Sequence, residues 1–136
     1  MANLPTINAL AGGSVYNTPA VLTLTAQAAA TVNGADQVNL TSAGIKLVVD
    51  ITAITGGAPT TTIKVQGKDP VSGKYYDLLT STALAAVATT VLTIRPAATA
   101  AANLTVNDAL PASWRVIATV AGAGAVTATV AGSLLA

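Results

Sequence analysis

Apolar side chains at every second position, repeated in several short segments, constrain this chain more than any other feature. In "GIKLVVDITAI" (44–54) Ile45, Leu47, Val49 and Ile51 fall on one face, while Lys46, Asp50 and Thr52 share the other with Val48. A period of two is that of a pleated strand with one face buried, and it does not match the 3.6-residue period of a helix.

The same pattern returns in "TTTIKVQGKD" (60–69), where Ile63 and Val65 point inward and Lys64 and Gln66 outward, after a break at Gly56-Gly57-Ala58-Pro59. "KYYDLLTS" (74–81), "TTVLTIRP" (89–96), "SWRVIATVA" (113–121) and "AVTATVAGSLL" (125–135) supply further strands. Alanine runs would favour helix, but here they are interleaved with Thr and Val, which lose side-chain freedom in a helix and pack well on a pleated surface. Only "PAATAAAN" (96–103) is suited to a helical turn. The reading is an all-β fold, an antiparallel β-sandwich of about seven to nine short strands, without an internal repeat. Its core is expected to hold Ile45, Leu47, Val49, Ile51, Ile63, Val65, Leu92, Ile94, Trp114 and Val116.

With 136 residues the chain suits one domain, long enough to bury roughly two-thirds of its unfolded surface. Residues 1–36 carry no charge before Asp36 and are interrupted by Pro5, Gly12-Gly13 and Pro19, which suggests an extended N-terminal arm ahead of a sandwich domain at 37–136. Within the arm "VLTLT" (21–25) has the composition of a strand, and an extended or strand-and-turn course is favoured over helix for "AQAAATVNGAD" (26–36).

Cysteine, histidine and glutamate are absent, so thiolate, imidazole and redox chemistry are excluded, and five aspartates are the only side-chain carboxylates. They show no calcium-loop spacing, and no catalytic residue, cofactor or metal site is expected. Six Lys and Arg residues lie scattered and leave a net charge of +1, so direct nucleic-acid contact is not expected. Charged residues make up 8% of the chain, against about a quarter in ordinary soluble domains, which suggests that a partner covers part of the surface. A membrane is the rival reading for "VIATVAGAGAVTATVAGSLLA" (116–136). Its period-two alternation and its Gly122 and Gly124 argue against a spanning helix. The N-terminus has no basic region followed by a compact apolar stretch and does not read as a signal peptide. The two sequons, at Asn39 and Asn103, are chance matches in a threonine-rich chain.

Charge, glycine and aromatic rings gather only in "GKDPVSGKYYDL" (67–78). As a phosphate loop it fails, because five residues separate Gly67 from Gly73-Lys74, Tyr75 stands where a hydroxyl should hold magnesium, and a strand rather than a helix follows. Asp69-Pro70 and Ser72-Gly73 instead mark the tip of a hairpin. "GAGAV" (122–126) is likewise a turn rather than a dinucleotide fingerprint. Trp114 shares a face with Val116 and Ala118 and is a core anchor, whereas Arg115 points to the opposite face, toward an aspartate or a neighbouring subunit. Tyr75 and Tyr76 are expected on opposite faces, one buried and one exposed, and so form no flat platform for a sugar or a base.

In their order and spacing, "VQGKDPVSGKYYDLL" and "LPASWRV", within a similarity over roughly residues 36–135, resemble a group of small structural proteins of tailed bacteriophages and prophages encoded among head and neck genes. The resemblance implies a non-enzymatic virion component assembled in the bacterial cytoplasm, by preference a capsid decoration or cement protein. Its partners would be the major capsid protein and further copies of itself, with no small-molecule substrate. A tail-tube, neck or tail-fibre subunit, or a module binding host-surface glycan, are the alternatives; an enzyme has least in its favour. The candidate interface residues are Leu4, Ile7, Leu10 and Val15 in the arm, Lys68, Asp69 and Lys74 around the hairpin tip, and Arg115.

Overall fold

The computed structural model describes residues 16–136, which form ten β-strands and no helix. In chain order these are β1 (Tyr16–Gln27), β2 (Ala30–Asn33), β3 (Gln37–Val38), β4 (Gly44–Thr55), β5 (Thr60–Lys68), β6 (Tyr75–Thr80), β7 (Ala88–Ile94), β8 (Thr105–Val106), β9 (Ser113–Ala121) and β10 (Ala125–Leu135). One sheet runs β1-β10-β4-β7-β8, and the other β2-β9-β5-β6, with β3 also on β9. All pairs are antiparallel except β7 with β8. The two sheets pack as a sandwich, as the alternation implies.

All ten expected core residues are buried, with exposures of 2% or less. They meet between the sheets. Ile45, Leu47, Val49, Ile51, Leu92 and Ile94 come from the first, and Ile63, Val65, Trp114 and Val116 from the second. Leu24, Val126, Val130 and Leu134 enlarge the same cluster. Burying each large side chain stabilises the fold by about 1.5–3 kcal/mol. Trp114 is the largest of them and shares the inner face of β9 with the small Ala118, so it supplies volume that such alanines do not.

The boundary at residue 36 is corrected. Residues 16–36 are not a separate arm, because β1 pairs along β10 from Tyr16 opposite Leu134 to Gln27 opposite Val126, and β2 pairs with β9. Val21, Leu22 and Leu24 are buried. Val21 and Leu22 are adjacent yet both point inward, because the register shifts between Thr18 and Leu22. Such a bulge breaks the alternation that reveals a strand in sequence. Leu4, Ile7, Leu10 and Val15 lie outside the described residues.

The helical turn expected at 96–103 is absent. The segment folds as turns with Ala97 and Asn103 at positive φ, and Asn103 donates its amide to the Thr80 carbonyl. Asn39, one of the two sequon asparagines, is a buried clamp. Its Nδ2 donates to the carbonyls of Ser42 and Leu110 at 2.8 and 2.9 Å, while its Oδ1 accepts from the Ser42 amide at 2.9 Å. This ties the crossover between β3 and β4 to the one between β8 and β9, where the Leu110 amide also donates to the Ala43 carbonyl.

Candidate functional site

Alternation along β5, β6 and β9 sends polar side chains to the outer face of the second sheet. Register then decides which of them meet. Gln66 lies opposite Asp77 on one side and Arg115 on the other. Gln66 Nε2 donates to Asp77 Oδ1 at 2.8 Å, Arg115 Nε donates to Gln66 Oε1 at 2.9 Å, and Lys64 Nζ pairs with Asp77 Oδ2 at 3.1 Å. The guanidinium of Arg115 stacks on the Tyr75 ring, its Cζ 3.5 Å from the centroid. Lys68 Nζ lies 5.4 Å from the same centroid. Tyr75 Oη donates to Asp36 Oδ1 at 2.7 Å, and Lys68 Nζ holds Asp36 Oδ2 at 2.8 Å. The result is a continuous ladder from Lys64 through Asp77, Gln66, Arg115 and Tyr75 to Asp36 and Lys68.

The carboxylates of this ladder are stabilised in their charged form. Asp36 is held below the ordinary carboxylate range by its hydrogen bonds from Lys68 and then Tyr75, and Asp77 by those from Gln66 and then Lys64. Lys68 is raised in turn, chiefly by its hydrogen bond to Asp36.

The hairpin tip between β5 and β6 is self-satisfied. Asp69 Oδ1 accepts from the Val71 amide at 2.9 Å and Oδ2 from Ser72 Oγ at 2.6 Å, which lowers its pKa, Ser72 contributing most. The Gly73 amide donates to the Asp69 carbonyl, and the Asp69 amide to that of Lys74. A phosphate cradle needs backbone N–H groups pointing at the ligand, but the amides of Asp69, Val71, Gly73 and Lys74 all donate to acceptors within this loop. Gly67 sits on the inner face under the ring of Tyr76, where a Cβ would collide with that ring.

Of the residues singled out from sequence, Lys68 and Arg115 come together over Tyr75, while Asp69 and Lys74 stay in the adjoining tip. The expectation for the tyrosines is corrected in one respect, since neither is buried. Tyr75 lies half-buried in the outer ladder, and Tyr76 is exposed where it covers Gly67. Sequence reasoning missed Asp36 as a member of the ladder. The outward set Lys64, Gln66 and Lys68 is readable from the period of β5, but nothing local signals that residue 36, between β2 and β3, arrives beside Tyr75 of β6.

The outer face of the first sheet differs in character. Ala131, Val48 and Val91 lie side by side on β10, β4 and β7, between a row of Thr129, Asp50 and Thr89 and a row of Ser133, Lys46 and Thr93. Lys46 and Asp50 are its only charges in these rows.

Among the described residues no group of His, Cys, Asp or Glu is placed to hold a metal ion, and no helix is long and apolar enough to cross a membrane. Comparison with known proteins finds no matching family model, no matching curated protein and no matching solved structure. What the fold and this surface define is therefore an all-β sandwich with one face ordered by a polar ladder.

Proposed function

We propose that the chain is a non-enzymatic structural subunit of a tailed-phage virion, acting as a capsid decoration protein that stabilises the head through repeated symmetric contacts. One observation carries the reading. The two stretches whose resemblance points to phage structural proteins, "VQGKDPVSGKYYDLL" and "LPASWRV", lie apart in sequence yet build one outward face, the first giving Gln66, Lys68, Tyr75 and Asp77 and the second Arg115. Side chains that order one another on an open sheet face suit a surface presented to a partner, because little rotamer freedom remains to be lost on docking. Contacts repeated around a shell add through multivalency.

Imaging of virions carrying a tagged copy, with the copies per particle counted, tests this. Many copies on the head surface are expected. Placement in the neck, tail tube or fibre would replace decoration with one of those roles, and absence from purified particles would overturn the virion reading.

A further inference from the structure

We propose that Arg115 is the anchor of the partner contact, a guanidinium held ready on the outer face of the second sheet to take a carboxylate of an Asp or Glu side chain on another protein subunit. The inference deepens the structural role proposed above and rests on it for the identity of the partner, not for the chemistry of the site.

Charge balance on the face comes first. Asp36 has both oxygens engaged, by Tyr75 and Lys68, and Asp77 has both engaged, by Gln66 and Lys64. Each carboxylate is matched by a lysine, so of Asp36, Lys64, Lys68, Asp77 and Arg115 the arginine is left as the cation without an ion-pair partner among the described residues.

Geometry comes next. The Nε–H of Arg115 is spent on Gln66 and one face of its guanidinium covers Tyr75, so the plane and direction of the fork are fixed. Gln66 is itself held by Asp77, and Tyr75 by Asp36. The Nη groups make no hydrogen bond to the described residues. An arginine stacked on an aromatic ring with its Nη donors free is arranged for bidentate recognition of a planar anion. It is also the kind of residue that dominates protein interfaces. A lysine at this position would keep the charge and lose the fork.

Two measurements test the proposal, after circular dichroism and melting establish that each variant is folded. In the first, purified wild type, Arg115→Gln, Arg115→Lys and a Lys46→Gln control are rebound to virions lacking the protein. Affinity is read by co-sedimentation over a range of NaCl concentrations. Arg115→Gln is expected to weaken binding at least about tenfold and to flatten its salt dependence, Arg115→Lys to recover only part, and Lys46→Gln to match wild type. Wild-type binding by Arg115→Gln would overturn the proposal while leaving the virion role intact. In the second, the Arg115 side-chain NMR signals are followed as a Glu-rich hexapeptide is added, with a Gln-rich hexapeptide as control. A saturable shift with the acidic peptide alone supports the carboxylate site even if wild type fails to bind virions, in which case it is the virion reading that falls. Signals that stay still, or that move equally with both peptides, overturn the site.

Discussion

At the scale of single residues, the fold depends on a few positions with no substitute. Trp114 fills the space between the sheets, so Trp114→Ala is expected to cost about 3–5 kcal/mol, read as a lower urea midpoint. Asn39→Ala strands the Leu110 and Ser42 carbonyls in a buried site, and a loss of about 1–3 kcal/mol is expected by the same measurement. Gly124, in the turn between β9 and β10, has φ of 106° and lies so close to the Thr55 carbonyl that a Cβ would collide with it. Gly124→Ala is therefore expected to destabilise by more than about 1 kcal/mol. The carboxylates set the response to acid. Asp36, Asp69 and Asp77 all bind protons less readily in the folded state than in the unfolded chain. Their contribution is complete above the ordinary carboxylate range and is lost as pH falls through their lowered folded values, so the urea midpoint should drop between about pH 5 and pH 2.

At the scale of elements, alternation made β4, β5, β9 and β10 legible, and the expected spans 113–121 and 125–135 coincide with the last two. In β5, β9 and β10 the inward residues alternate without interruption, so residue type and position carry the same message. β1 was legible only as a short run, because its bulges place Val21 and Leu22 on the same side and Ala26 takes a positive φ. The ladder was half legible. β5 and β6 declare their outward side chains, but Asp36 reaches them only through the placement of β2 and β3 beside β9, which no local pattern encodes. For the hairpin tip, Lys74→Ala and Asp69→Ala are expected to leave the circular dichroism spectrum unchanged. Calorimetric titration with ATP or GTP should show no binding in the parent or either variant, because the loop's own carboxylate takes its donors. Saturable nucleotide binding lost in Lys74→Ala would reverse that reading.

At the scale of the whole molecule, β1 is part of the sandwich, so a truncation that spares the described strands must stop before Tyr16. Removing residues 2–15 is expected to shift the melting temperature by no more than about 3 °C, whereas removing residues 2–27 takes away β1 with Val21, Leu22 and Leu24 and should abolish cooperative melting. The first sheet has the order β1-β10-β4, so the strand made last among those described sits between two that were made early. As the chain emerges from the ribosome, β1 and β4 have no strand between them to pair with until β10 is made. The sheet cannot zip until residues 125–135 arrive. Completion of this sheet is thus postponed until β10 has been made and depends on distant pairings, which points to refolding over ~milliseconds to seconds and to nascent chains that need protection from one another until then.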